Sequence, residues 1–549
     1  MTRARRLKER APPTYFANNN AKNDIQRVLN STNDVKTWST ASDEVEDQSV
    51  MQESMCSFDD QQDLVTEPKI LSFLIKQLVF SRIFLITFQF FINRIMKDHP
   101  TDAFKGIPQA EVNRRDHFVQ NLFGGLSCWD ARHFLHVAEF GYTWESTLAW
   151  FPLFPAILRV LGTCIQFIFG PMNLFSAMLL GGVILNNIIF VVNGILLFRL
   201  AYTLTGNLKE TIISVYVFCW NPASIFFSAV YTESLYTLFT FAAVLFLQHN
   251  PSDRIRQIIA SFIFSFAFLT RANGLANIGY IGFPLLLEVI LRKTDADKVE
   301  FEDFNMNFLL KAMHRLSLFL LCFFIMVLPL RLFGFAMEEK FCSNKAAYEE
   351  PRLKNFLHNN TFVLPGDVAN LTWCNDDRDP SPLLPPYYAE VQEKYWGVGL
   401  FGHWQLRKIP FFLMAAPTLG FVFYGILDFI SNAVNDSRRI EQILQDRRML
   451  IPFAIHSAFI AFAGIFVYNV EVSMRLLFSS SPFLYIVIAR IMSEQTPLVS
   501  VPDDLMEPFL LPFLSIYARV RLLHFVMLTY LLGFFFFGTT LHVNWLPFI

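Results

Sequence analysis

The densest set of reactive side chains in the sequence lies between Leu126 and Pro155, in the run LSCWDARHFLHVAEFGYTWESTLAWFPLFP. Asp130, His133, His136, Glu139 and Glu145 stand there beside Trp129, Trp144 and Trp150. A carboxylate among aromatic side chains is partly desolvated, which strengthens it as a proton acceptor and makes Asp130 a candidate general base. On a helix over 129–140, Asp130 and His133 share a face, with Val137 one turn on. The competing reading is structural: Asp130 caps that short helix and Trp129 anchors it at a membrane–water interface.

Glu233, in Tyr231-Thr232-Glu233-Ser234, interrupts a run that is otherwise apolar from Ala223 to Leu247. An ionisable residue inside a membrane segment is costly and is a functional candidate by default. Alternatively, Asn221-Pro222 breaks the helix and Glu233 opens the next one, where negative charge is favoured. Arg271, in Thr270-Arg271-Ala272-Asn273-Gly274, carries the planar fork that pairs bidentately with phosphate, and Gly274 permits a tight turn. The plainer reading is a turn whose arginine snorkels. Arg475, ahead of Ser479-Ser480-Ser481-Pro482, has the same two readings. Tyr387-Tyr388 and Tyr395-Trp396 offer faces for a sugar or lipid headgroup, or else form an interfacial aromatic belt.

The elements that position these residues are membrane helices. Of 549 residues, 53% are hydrophobic, 17% are charged and 62 are phenylalanine, and the mean hydropathy is +0.36. Soluble domains average roughly 25% charged residues. Apolar runs recur at 70–95, 150–169, 174–199, 210–227, 230–248, 255–271, 275–292, 314–336, 410–430, 450–469, 474–490 and 521–541. Runs of about 20 residues cross roughly 30 Å of hydrocarbon, so the chain reads as an all-α polytopic membrane protein with about 11–12 hydrophobic segments. The net charge of −2 offers no basic field for a nucleic acid. Among the seven cysteines there is no CxxC pattern, and no His-x-His spacing suggests a metal site. Cys164, Cys219 and Cys322 lie in apolar runs and read as small core residues.

Residues 1–66 are polar, basic at the start and acidic toward Asp63, which predicts a disordered cytosolic tail without a cleaved signal peptide. A membrane domain then covers 67–549, opened by a signal anchor at 70–95. The basic tail places the amino terminus inside and loop 96–149 in the lumen. Arg438, Arg439, Arg447 and Arg448 mark 431–449 as cytosolic, which makes loop 337–409 and the carboxyl terminus lumenal. Loop 337–409 carries glycosylation acceptors at Asn359 and Asn370. Asn30 and Asn435 also fit the sequon but face the cytosol. Cys342 and Cys374 share the large loop, where an oxidising lumen lets them pair. The crossing count does not close, because seven runs separate two loops on the same side. One run is broken, re-entrant or in-plane: 150–169, or the pair around Asn221-Pro222.

Taken together, SCWDARHFLHVAEFGY with AWFPLFP, NPASIFFSAVYTESLYTLFTFA, LTRANGL, Trp373-Cys374, YWGVGLF with KIPFFLMAAP, and RLLFSSSPFLY resemble, in order, the motifs of the PIG-V family. These are dolichyl-phosphate-mannose-dependent mannosyltransferases of the GT-C superfamily. The likeness covers roughly 70–549, including a short end WLPFI similar to the family's lumenal end. It implies a GT-C membrane bundle in the endoplasmic reticulum with a lumenal active site. The donor it implies is dolichyl-phosphate-mannose, a lipid rather than a separate cofactor, with no metal. The acceptor is a GPI precursor bearing one mannose, which receives the second in α-1,6 linkage with inversion. By this resemblance Asp130 is catalytic. Arg271 is the candidate for the leaving phosphate and Glu233 for orienting a sugar; Trp129, His133, Glu139, Asn273 and Arg475 complete the expected substrate contacts. The resemblance leaves room for a small membrane partner subunit. The rival readings are another dolichyl-phosphate-sugar-dependent GT-C mannosyltransferase, a transporter, and a non-catalytic partner subunit. A transporter has no evident need of an Asp-bearing loop after its first helix, and no internal repeat is visible.

Overall fold

A computed structural model describes residues 44–109, 112–293, 299–343, 348, 350–374, 384–436, 440–446, 450–493 and 522–547. Of the expected tail, 1–43 lie outside the described residues, and 44–66 already belong to helix α1 (Glu44–Ile95). The arginines that mark 431–449 as cytosolic also lie outside them. Two compact units result: Met1–Ile70 with Phe429–Ser437, and Leu71–Asp428 with Arg438–Ile549. The described part of the first is helical for most of its length. The second holds every candidate site residue.

After α1 come two short helices, α2 (Arg114–Phe123) and α3 (Asp130–Phe140), then α4 (Leu153–Phe169), α5 (Leu174–Thr205) and α6 (Leu208–Cys219). Helices α7 (Glu233–Gln248), α8 (Arg254–Thr270) and α9 (Gly279–Ile290) follow, with a small antiparallel hairpin of β1 (Leu291–Lys293) and β2 (Val299–Phe301). Then come α10 (Met306–Ser343), α11 (Pro351–His358), α12 (Tyr388–Trp396), α13 (Ile409–Val434), α14 (Ile440–Asp446), α15 (Ile451–Phe466), α16 (Ser473–Ser480), α17 (Pro482–Ser493) and α18 (Leu522–Val543). Among the described residues, six helical segments are long and apolar enough to cross a membrane: Pro68–Ile95, Leu174–Thr205, Ala272–Ile290, Met306–Ser343, Leu406–Val434 and Phe525–Val543. The pair Val470–Ser480 and Pro482–Ser493, bent by 84°, is apolar enough only when taken together, as a broken span or a re-entrant loop. The other apolar runs are shorter helices, completed where they are completed at all by irregular buried backbone. This departs from a count of uniform spans. Helix α10 runs on to Ser343, beyond the start at 337 expected for the large loop.

The backbone between Cys219 and Glu233 shows how such irregularity survives. Pro222 cannot continue a helix, and α6 ends at Cys219. Every carbonyl freed at membrane depth then needs a donor from protein. Arg82 of α1, 3% exposed, supplies two of them: it donates to Cys219 O at 2.9 Å and Ser224 O at 3.1 Å. Two asparagines on α5 supply more. Asn186 Nδ2 donates to Ala229 O at 2.5 Å and Tyr231 O at 2.9 Å, and Asn193 Nδ2 to Ser234 O at 2.8 Å. The polar side chains of the apolar segments thus fix the path that carries Tyr231 and Glu233.

Helix α4 is tied to the 96–149 loop at both ends. Its start follows Trp150, which stacks on His133 with ring centroids 4.7 Å apart. Its end is held by Arg115 of α2, which donates to Phe169 O. Both ends of this shorter apolar helix thus contact residues of loop 96–149. The loops 96–149 and 350–409 meet directly: Glu145, fully buried, accepts from Trp373 Nε1 at 2.9 Å, Lys394 Nζ at 2.6 Å and Tyr395 OH at 2.8 Å. Between the two loops, Leu174–Thr205, Ala272–Ile290 and Met306–Ser343 are the segments long and apolar enough to cross, and Leu153–Phe169 and Glu233–Gln248 are shorter apolar helices. The break at Asn221-Pro222 follows the end of α6 at Cys219.

The two loops build one folded cap. Cys342 and Cys374 are bonded, their Cα atoms 5.5 Å apart. Trp373, Tyr387, Val391, Leu148 and Tyr142 pack beside that bond. The aromatic pairs read as ligand faces or an interfacial belt pack inside the cap: Tyr387 on Trp373, Tyr388 on Phe151 and Trp396 on Trp150, at centroid distances of 5.3, 5.2 and 6.0 Å. Of the three cysteines expected in the core, Cys219 and Cys322 are buried but Cys164 is exposed, because it lies on the outward side of α4.

Candidate active site

Helix α3 presents Asp130 as its first residue, and no side chain caps it. The residue ahead, Trp129, has φ 59° and ψ −127°. Tyr231 takes the place of a cap: Asp130 N–H donates to Tyr231 OH at 3.1 Å, and that hydroxyl donates to Cys128 O at 3.4 Å. The carboxylate of Asp130 is thereby left for another partner. It accepts from Arg475 Nη1 at 2.7 Å. The capping reading of Asp130 therefore does not describe its side chain, although a negative charge at this helix start remains favourable.

Arg475 sits on α16, the short arm of the bent pair, and lies over the rings of Phe226 and Tyr231 at 5.3 and 5.5 Å. Its guanidinium also stands 3.8 Å from Glu233, a fully buried carboxylate at the start of α7. Glu233 in turn lies 2.5 Å from Arg271 Nη1. Asp130, Arg475, Glu233 and Arg271 thus alternate in charge along one line. Each buried ion has a counter-ion, which makes this much charge tolerable in an apolar surround. The donors are not exhausted. Arg475 Nε is a buried N–H group with no hydrogen-bonded acceptor among the described residues. Buried donors are normally satisfied, so it is open to an anion or hydroxyl, while Arg271 Nη1 has the Glu233 carboxylate beside it.

Arg271 is placed by the turn after α8. The chain doubles back so tightly that a Cβ on Gly274 would stand 2.7 Å from the backbone N and Cα of Phe268. Only glycine fits such an approach. Asn273, on the same turn, donates to Ser480 Oγ at 3.1 Å and so ties the Arg271 turn to the Arg475 arm. Tyr236 lies under Arg271, its ring centroid 6.0 Å from the guanidinium carbon.

The remaining expected contacts separate. His133 stacks between Trp150 and Phe104, and burial pushes its imidazole down to about 4 against a smaller opposing pull from Asp130. It is neutral at neutral pH and acts as an aromatic wall. His136, held down to about 3 by burial and then by His133, bonds Thr143 Oγ1 at 2.7 Å. Glu139 lies at the far end of α3, paired with Arg352 Nη2 at 3.2 Å. Burial raises its carboxyl above the usual range, against the lowering by Arg352. It belongs to the cap and not to the charge line. Trp129 flanks Asp130 and packs on Trp545 at 5.7 Å. Tyr231 and His542 escaped the sequence reading; their rings lie 5.4 Å apart. The Tyr-Thr-Glu run around Glu233 was the available signal for Tyr231, while His542 on α18 gave none.

Residues 71–549 match the family model described as mannosyltransferase (PIG-V). Among relatives, GPI alpha-1,6-mannosyltransferase 2 of Cricetulus griseus is 28% identical over 85% of this chain and 96% of its own length. The protein of that name from Homo sapiens is 28% identical over 76% of this chain and 83% of its own. Among solved structures, an apo oligosaccharyltransferase of Archaeoglobus fulgidus aligns over 85% of this chain and 56% of its own, with 10% identity and a TM-score of 0.39. That likeness is too loose to bear on the site.

Proposed function

The chain belongs to the PIG-V mannosyltransferase family, and on that premise we propose that it adds the second mannose to a GPI-anchor precursor, in α-1,6 linkage, with Asp130 as general base. It is a membrane-embedded glycosyltransferase. In this reading the donor is dolichyl-phosphate-mannose and the bundle has a GT-C arrangement. The site faces the lumen of the endoplasmic reticulum, with the amino terminus cytosolic and the carboxyl terminus lumenal. A small membrane partner subunit is compatible with this scheme and no step of it needs one.

The observation that carries the reading is the Asp130–Arg475–Glu233–Arg271 line. Inverting transfer needs a base on one face of the sugar and a phosphate leaving from the other. Arg475 donates to the Asp130 carboxylate and fixes its direction. The acceptor hydroxyl gives its proton to Asp130 as its oxygen forms the new bond to the mannose anomeric carbon. The bond from that carbon to the phosphate oxygen breaks, and the electron pair leaves with dolichyl phosphate. The guanidinium charge of Arg271 and the unaccepted Nε–H of Arg475 are suited to the charge that develops there. Glu233 holds the two guanidiniums apart and keeps them in place before the lipid binds.

The test is mannosyl transfer in microsomes from cells lacking the endogenous activity, supplied with labelled dolichyl-phosphate-mannose. Asp130→Asn keeps the shape of the side chain but cannot take the proton. The reading requires that it accumulate normally, retain donor binding and lose transfer, with singly mannosylated GPI precursors building up in cells. Near-normal transfer by Asp130→Asn would falsify it.

A further inference from the structure

Two tryptophans with left-handed backbone meet beside Asp130. Positive φ is uncommon outside glycine, and among the described residues only Trp129 at 59°, Phe401 at 58° and Trp545 at 59° show it. Trp129 immediately precedes Asp130, so its backbone sets the direction in which α3 and its first carboxylate leave. Such a conformation persists only where its surroundings over-determine it. No side-chain cap does so, since α3 has none. No hydrogen bond on the indole does so either, because Trp129 Nε1 is buried without a partner among the described residues. The Tyr231 hydroxyl ties the peptide groups on either side, bonding Asp130 N–H and Cys128 O, and the packing of the Trp545 ring at 5.7 Å holds the indole itself.

Trp545 is itself held firmly. It is 4% exposed and lies in the segment that follows α18. Asn93 Nδ2 donates to Val543 O at 2.8 Å, and His99 N–H to Asn544 O at 2.9 Å. Val543 fills the space over Gly125, where an added Cβ would come within 2.7 Å of Val543 Cβ. The segment is therefore locked to the start of the 96–149 loop and to Gly125 within it, and Trp545 forms a fixed surface for Trp129.

We infer that Trp545 is a positioning residue for mannosyl transfer: by packing on Trp129 it holds the backbone turn that aims Asp130 at Arg475 and at the acceptor hydroxyl. It touches neither sugar nor phosphate. The inference rests on the reading of Asp130 as base, and the experiment separates the two.

The full-length chain is assayed in the same microsomes with dolichyl-phosphate-mannose as donor. Trp545→Leu keeps an apolar side chain but removes the flat ring. It lowers kcat by on the order of 10- to 100-fold, the scale of a small misplacement of a catalytic group. The donor KM stays within about twofold, because the change acts on the transfer step rather than on donor binding. Trp545→Phe restores a ring and most of kcat. The double variant Trp545→Leu/Asp130→Asn is no slower than Asp130→Asn alone, since two changes acting through one group do not add. A kcat for Trp545→Leu within about twofold of wild type, beside an inactive Asp130→Asn, overturns the inference and leaves the base assignment standing. A further fall in the double variant by the full single-variant factor also overturns it, because Trp545 would then act elsewhere. An active Asp130→Asn overturns the base assignment and the inference with it. If Trp545→Leu does not accumulate, Trp129→Leu removes the other half of the pair; it must show the same fall, and wild-type kcat there overturns the inference.

Discussion

At the residue scale, the two arginines differ in what they hold, and their variants separate accordingly. Arg475 bonds Asp130, the proposed base, directly, so Arg475→Lys should act on the step rather than on donor affinity. Lysine keeps the charge but cannot bridge Asp130 and Glu233 with one planar group. A fall in kcat on the order of 10- to 100-fold with KM little changed is expected from steady-state transfer kinetics. Arg271 pairs only with Glu233 in the line. Arg271→Lys should instead weaken donor binding, seen as a raised KM for dolichyl-phosphate-mannose. Wild-type donor kinetics in that variant would return Arg271 to a structural role beside Glu233. Asp130→Asn should cost about 10²–10⁴-fold in transfer, roughly 3–5 kcal/mol of barrier. Asp130→Glu should fail substantially as well, because one methylene shifts the carboxylate away from Arg475 and from the line of attack.

At the element scale, the cap built from the two loops depends on burying groups that would rather be charged or wet. His133 and His136 have folded values of about 4 and 3, below the value near 6.5 of an unfolded histidine. The unfolded cap thus binds more protons in acid, and stability is fully present above about pH 6.5 and is lost as pH falls toward 4 and then 3. Trp150 stacks on His133 and Trp144 on His136, so tryptophan fluorescence during an acid titration reads the loss, and His136→Phe should flatten it. The Cys342–Cys374 bond closes a separation of 32 residues. Its removal should destabilise the cap by on the order of 3 kcal/mol in the chain-entropy model, and both thiols reacting with maleimide in unreduced, denatured protein would refute the pairing. Much of this scale was legible in the sequence. The loop with Asp130 stood out because its reactive residues are neighbours in the chain, and Pro222 marked a break because proline forbids the bond a helix needs. Arg475 looked like an ordinary snorkelling residue because its partner is 345 positions away. The aromatic pairs at 387–396 looked like ligand faces because exposure, which decides the matter, is set by the tertiary packing of the cap on Glu145.

At the scale of the whole molecule, sidedness is the property that the remaining argument depends on. Loops 96–149 and 350–409 share one side, since Glu145 bonds Trp373 and Lys394. The carboxyl-terminal segment shares it too, since Val543 accepts from Asn93. The charge line opens on that side, at the starts of α3, α7 and α16 and the end of α8. If that side is the lumen, the sequons sort by position. Asn359 ends α11 and is exposed, with Thr361 exposed beside it. Asn370 is also exposed, but its amide donates to Asp367 at 2.9 Å and the hydroxyl of its Thr372 bonds Glu390 at 2.6 Å. Asn359 is therefore the site to carry glycan once the cap has begun to fold, with Asn370 modified to a lesser extent. Asn435 follows the span Leu406–Val434 and is one crossing away from both, so it should remain bare. Endoglycosidase treatment should sharpen and speed the band of the wild-type protein on a gel. Asn359→Gln should remove most of that shift and Asn435→Gln none of it. A shift that survives Asn359→Gln and Asn370→Gln together but vanishes with Asn435→Gln would turn the molecule over. The charge line would then face the compartment opposite to the one in which lipid-linked mannose is expected to be presented, and the proposed donor would be the first assignment to fall.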